Sequence, residues 1–101
     1  MVTPRPLRWT RKALDDLDEE LGYIAQFNPG AAHRLRVSIL KALGLARSFP
    51  RTPRMVPEEG DPAVREILRA PLRIIFEVHP RELRILAVRR MERAPLEPGD
   101  L

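Results

Sequence analysis

Arginine and glutamate are threaded among aliphatic residues through one C-terminal block: Arg65-Glu66-Ile67-Leu68, then Leu72-Arg73-Ile74-Ile75-Phe76-Glu77-Val78, a four-residue turn, and Leu83-Arg84-Ile85-Leu86-Ala87-Val88-Arg89-Arg90. A guanidinium is a planar fork of donors that matches a carboxylate or a phosphate. Arg65, Arg73, Arg89, Arg90 and Arg93 are therefore candidates for gripping an acidic target. Glu66 and Glu77 are the carboxylates placed among them that can accept a proton. Other proton-transfer groups are scarce in this block. Both lysines, Lys12 and Lys41, and the single tyrosine, Tyr23, fall in the first half of the chain. His33 and His79 have no second histidine or cysteine at ligand spacing, so neither a metal nor a cofactor is expected.

Charge follows the same division. The chain carries 18 basic residues against 14 acidic ones, for a net charge of +4. Asp15, Asp16, Asp18, Glu19 and Glu20 cluster early, whereas Arg47 to Arg93 holds eleven arginines and no lysine. An arginine excess also fits a GC-rich genome, but this distribution implies an acidic partner, nucleic acid or protein.

These side chains need a frame, and 101 residues make one domain. A chain of this size buries about two thirds of its unfolded surface, enough for one core. It has no cysteine, no apolar leader in residues 1–6, and nothing near the roughly 18 apolar residues of a membrane span. A cytoplasmic protein is expected.

Pro6 to Thr10 reads as a short strand with Leu7 and Trp9 on one face. Thr10 suits an N-cap, and Leu14, Leu17, Leu21 and Ile24 form one helical stripe behind it. Asn28-Pro29 closes that helix and opens a second, because asparagine caps well and proline fits the first helical position. The second helix, about 29–48, carries Ala32, Leu35, Ile39, Ala42, Ala46 and Phe49 at the same rhythm, with Leu43 widening the stripe. The short junction predicts an antiparallel helical hairpin. Gly44 within it suggests a close contact. Four prolines and Gly60 make 50–62 a loop, and the strands after it form an antiparallel meander.

The predicted fold class is α+β, a helical hairpin on a small, mainly antiparallel sheet in the order β-α-α-β-β-β. Its core spans about 5–93, with a flexible tail over 94–101. Leu72, Ile74, Phe76 and Val78 share the face that meets the helices. Ile75, Leu86 and Val88, with Arg84, fall on the other face, where an apolar patch marks an interface.

The order of elements and several local motifs carry a resemblance. Asn28-Pro29-x-Ala31-Ala32 resembles the junction between the helices of the RelE/ParE toxin superfamily. Arg54-Met55-Val56-Pro57-Glu58 followed by Arg65-Glu66 is similar to the loop-to-strand wording of its ParE-like branch. Leu72-Arg73-Ile74-Ile75-Phe76-Glu77-Val78 and Ile85-Leu86-Ala87-Val88-x-x-Met91-Glu92-Arg93 resemble its last two strands.

The resemblance implies the toxin of a type II toxin–antitoxin system associated with plasmid stabilisation. A ParE-like member binds DNA gyrase, with Arg65, Arg73, Arg89, Arg90 and Arg93 as target contacts. A cognate antitoxin would cover Ile75, Leu86, Val88 and Arg84, adding a strand to the sheet edge. A RelE-like member would instead cut mRNA on the ribosome. Arg73 and Arg93 fall where such nucleases carry functional arginines, and Glu66 or Glu77 would have to act as base. The lysines and C-terminal tyrosine of those nucleases are missing here, and arginine is a poor acid or base near neutrality. The reading therefore favours a binding protein over an enzyme. A non-toxic binding module of the same fold is the third alternative.

Overall fold

The computed structural model describes residues 3–92, 96 and 99–101. The elements run β1 (Leu7–Trp9), α1 (Arg11–Phe27), α2 (Pro29–Ser48), β2 (Arg54–Met55), β3 (Val64–Arg69), β4 (Leu72–Val78) and β5 (Leu83–Arg90). Both helix starts follow from their caps. The Thr10 hydroxyl accepts from the Ala13 amide, and the Asn28 side chain accepts from the Ala31 amide with Pro29 at the first helical position.

One five-stranded sheet has the order β1-β5-β4-β3-β2. β1 runs parallel to β5, and the other pairings are antiparallel. The hairpin lies on one face, α1 over β5 and α2 over β3. The extra strand β2, inside the predicted loop, is only two residues long.

Between helices and sheet, Leu17, Leu21, Ile39 and Leu43 pack on Ile74, Phe76, Leu83 and Ile85. The buried side of α1 is turned from the predicted stripe. Ala13, Leu17, Glu20 and Leu21 are buried, while Leu14 is exposed. The reason is polar. Asp16 accepts from the Val88 amide at 3.0 Å and Glu20 meets Arg90 at 3.3 Å, so two carboxylates face β5 where a hydrophobic count sees only solvent-facing charge. Gly44 is exposed, and a Cβ there would meet nothing within 4 Å, so no close contact explains it.

A bulge in β5 reorders its faces. Ile75 pairs with Ala87, but the next residue, Phe76, pairs with Ile85, leaving Leu86 unmatched. Strict alternation ends there. Val88 lies opposite Ile74, buried in the helix-side core. It is thus not on the open face where simple alternation puts it. Thr10 donates to the Ile85 carbonyl at 2.9 Å, so the cap of α1 and Asp16 together pin the bulged segment.

The opposite face is not bare either. Ile75 is fully buried in a small second cluster with Val56, Val64 and Leu96. The expected exposed patch of Ile75, Leu86 and Val88 therefore does not exist: two of the three are buried by the chain itself, and Leu86 is half-buried.

Candidate functional site

Register places the charged residues of β3 and β4. Glu66 lies opposite Ile75, and Leu68 opposite Arg73, so Glu66 and Arg73 emerge on the face away from the helices. Across that face runs a chain of charge. Arg54 donates to Glu66 Oε2, and Arg73 Nε donates to Glu66 Oε1 at 2.8 Å. The other two nitrogens of Arg73 reach both oxygens of Glu58 at 3.0 Å each. Glu58 in turn accepts from the Leu96 amide at 3.1 Å. The side chains of Glu66 and Arg73 are 0% and 10% exposed.

The electrostatics follow from this geometry. The side-chain hydrogen bonds from Arg73 hold the Glu58 carboxyl far below its usual range, at about 2, against the opposing effect of burial. The Arg73 guanidinium is pushed up, first by its bonds to Glu58 and then by Glu66. A buried pair stays ionised only when its polar atoms are well matched, and here each carboxylate oxygen has a donor.

Arg65 does not join this face. It lies opposite Phe76, on the helix side, and its guanidinium donates to the carbonyls of Pro62, Arg51 and Pro53. It clamps the loop before β3. Glu77 lies four residues along β4 from Arg73, about 13 Å at strand spacing. Its carboxylate meets His79, while Arg84, its cross-strand neighbour, turns to Glu82 at 3.2 Å.

The arginines that end β5 diverge. Arg89 lies opposite Arg73 and donates to Asp100 at 3.1 Å. Arg90 lies opposite Leu72, on the helix side, where it bonds Glu92 at 2.7 Å and Glu20 at 3.3 Å and stands 5.7 Å from the centre of the Tyr23 ring. Glu92 first, then Glu20, pushes its pKa up. Tyr23 itself meets Phe27 edge to face. Arg93 lies outside the described residues. Within the segment expected to be a flexible tail, Leu96 is buried and Asp100 bonds Arg89.

The predicted cluster therefore divides. Arg73 and Glu66 come together, with Arg54 and Glu58 as partners that sequence reasoning did not assign. Arg65, Glu77 and Arg90 lie elsewhere. Among the described residues no group of three or more potential metal ligands occurs, and no helix is long and apolar enough to cross a membrane.

This arrangement can hold a chain terminus and present guanidinium groups at the end of β5. Both oxygens of Glu66 are taken by arginine donors, Arg54 and Arg73. None of the curated proteins matches the chain. Among solved structures it is similar to a chain of the chromosomal ParDE toxin–antitoxin system from P. aeruginosa, at 27% identity and a TM-score of 0.69 over 87% of this chain and 97% of that one. The sequence model of the ParE toxin of the type II toxin–antitoxin system parDE matches residues 7–95, which takes in both helices and all five strands. The chain belongs to the ParE toxin family.

Proposed function

We propose that this protein is the toxin of a type II pair, that it arrests growth by binding DNA gyrase in the cytoplasm, and that a cognate antitoxin neutralises it. Plasmid stabilisation would be the consequence for a replicon carrying the pair. Family membership supports the toxin. The observation that carries binding over RNA cleavage is the enclosure of Glu66, whose two oxygens accept from Arg54 and Arg73 at 1% residue exposure. Cleavage at a 2′-hydroxyl needs a base within hydrogen-bond reach of that hydroxyl and an acid for the leaving oxygen. Both oxygens of Glu66 already accept from arginines, and Glu77 is about 13 Å along the strand from Arg73. Arg73 is committed to two carboxylates and is not free to stabilise a phosphorane.

Target contacts then fall to Arg89 and Arg90 at the end of β5, and to Arg93 three residues further along the sequence. Arg90 is the described member nearest an acidic recess, formed with Asp18, Glu19, Glu20 and Tyr23.

Induction of the chain alone in a bacterial host tests this. Reading the DNA-damage response beside bulk translation should show filamentation with translation sustained, and purified protein should inhibit supercoiling by gyrase. Prompt translation arrest with cut mRNA would overturn the gyrase reading in favour of ribosome-dependent cleavage. Normal growth with soluble, folded protein would leave a non-toxic binding module.

A further inference from the structure

The loop before β3 brings two guanidinium groups onto one oxygen. Arg51 Nη1 donates to the Pro62 carbonyl at 3.0 Å, and Arg65 Nε donates to the same carbonyl at 2.8 Å. Their donor nitrogens are thus less than about 6 Å apart. Arg65 Nη1 also donates to the Arg51 and Pro53 carbonyls at 3.2 Å each, which ties the backbone of Arg51 to it. Two like charges this close repel, and an anion between them relieves the repulsion. The chain supplies none: neither arginine makes an ion pair among the described residues. Asp61, one residue before Pro62, accepts from the Ala63 amide at 2.9 Å instead. Arg51 Nε and Nη2 and Arg65 Nη2 are left as donors for something outside the chain.

Unpaired charge continues along the strand. Arg65, Ile67 and Arg69 alternate onto the helix side of β3, opposite Phe76, Ile74 and Leu72 of the core. Strand rise puts Arg69 about 13 Å from Arg65. Arg69 Nε donates to Ser38 Oγ at 3.1 Å, so its guanidinium rests on α2, and Lys41 lies one helical turn beyond Ser38. Lys41 and Arg69 border one recess and make no ion pair among the described residues either. Elsewhere the chain matches its cations. Arg11, Lys12, Arg54, Arg73, Arg84 and Arg90 each meet a carboxylate.

We propose that Arg51 and Arg65 take one phosphate of a nucleic-acid backbone, and that Arg69 and Lys41 take further phosphates of the same strand. A phosphodiester has two free oxygens, so each of two neighbouring guanidinium forks can bond one of them. The reach from Arg65 to Arg69 calls for a polymer of phosphates and not a single ion. Such contacts read charge and not base sequence, so binding is sequence-independent and sensitive to salt. It is also separate from gyrase inhibition: a chain that fails to inhibit gyrase can still hold DNA through these four cations.

Fluorescence anisotropy of the purified chain with a short labelled DNA duplex, and with a single-stranded RNA of equal length, is the test. On a double-logarithmic plot, affinity for the duplex should fall with salt at a slope of about −3 to −4, roughly 0.9 for each phosphate met. Arg51→Gln combined with Arg65→Gln should weaken binding by about tenfold or more at low salt and take roughly two from that slope. Lys41→Gln combined with Arg69→Gln should do the same without touching the loop, so this pair carries the test if the loop variant lowers Tm. Arg8→Gln combined with Arg11→Gln removes the same net charge from exposed positions on β1 and α1, and should leave affinity within about twofold. The tighter of the two nucleic acids identifies the source of the backbone. An equal loss in the Arg8 and Arg11 variant would overturn the site in favour of diffuse attraction to a cationic chain. Inorganic phosphate displacing the duplex at equal phosphate concentration would overturn it in favour of a small-anion site. Polyglutamate binding more tightly than either nucleic acid, with the same sensitivity to the variants, would assign these cations to an acidic protein. Absence of binding to either nucleic acid at low salt would also overturn the proposal.

Discussion

Arg73 and Glu58 meet through two parallel hydrogen bonds of 3.0 Å, fork to fork, and Glu58 passes the contact on to the Leu96 amide. A strand residue thereby holds a segment more than twenty positions downstream. The same arginine bonds Glu66 with its third nitrogen, so all of its side-chain nitrogens are used inside the chain.

Arg73→Ala should destabilise the fold by about 3–5 kcal/mol, because it takes the shared cation from two carboxylates, one of them fully buried, and leaves Glu66 only Arg54 and Glu58 only the Leu96 amide. Arg73→Lys should recover part of that loss, since an ammonium cannot reach both oxygens of Glu58 and Glu66 in a planar fork. Urea denaturation monitored by circular dichroism measures both. A stable Arg73→Ala variant that has lost growth arrest would return this residue to the target-contacting set.

Glu58 predicts how stability depends on pH. Its folded pKa, about 2, lies below the ordinary value of 4.5. A depressed carboxylate stabilises the fold above its unfolded pKa, and that contribution is lost as pH falls toward the folded one. Wild-type stability should therefore decline between about pH 4.5 and pH 2, by on the order of 1–2 kcal/mol from this group once solvent screening is allowed for. Glu58→Gln should flatten that limb of the curve and cost stability at pH 7. Denaturant midpoints across this range check it. An unaltered acid limb in the variant would mean that other carboxylates set it.

Ile75 and Leu96 pack in the same small cluster, on the face the helices do not cover. Ile75→Ala should cost about 2–4 kcal/mol, as expected for a buried aliphatic side chain. Because the two side chains share one cluster, the double variant with Leu96→Ala should cost less than the sum. A double-mutant cycle by urea denaturation reads the coupling. Strict additivity would mean that Leu96 does not cover Ile75 in solution.

Much of this architecture was legible in the chain. Thr10 and the Asn28-Pro29 pair marked the helix starts because capping is local chemistry, readable within a few residues. The meander followed from short connections and alternation. Two things were not legible. The bulge at Leu86 depends on the register between β4 and β5, and a one-residue slip moves Val88 from one face to the other without a trace in the local pattern. Likewise, Asp16 and Glu20 look like solvent-facing charge until β5 supplies the Val88 amide and Arg90. The arginines of the candidate site stood out by type. Their partners did not, because Glu58 and Arg73 are fifteen residues apart and nothing in either segment announces the other.

Arg90 lets function and stability be compared in one variant. It lies at the end of β5 with exposed Glu92 on one side and buried Glu20 and the Tyr23 ring on the other. The exposed pair with Glu92 contributes little, whereas Glu20 loses one of its partners when Arg90 is removed. The Arg90→Ala chain should therefore still fold, with an unchanged denaturant slope and a midpoint lowered by the loss at Glu20. If guanidinium groups at this end of β5 contact the target, the same variant should lose growth arrest and gyrase inhibition. Arg90→Lys should then restore only part of the activity, since a lysine keeps the charge but not the fork. Full activity in Arg90→Ala at normal expression would remove this residue from the target surface and leave Arg89 and Arg93 to carry it.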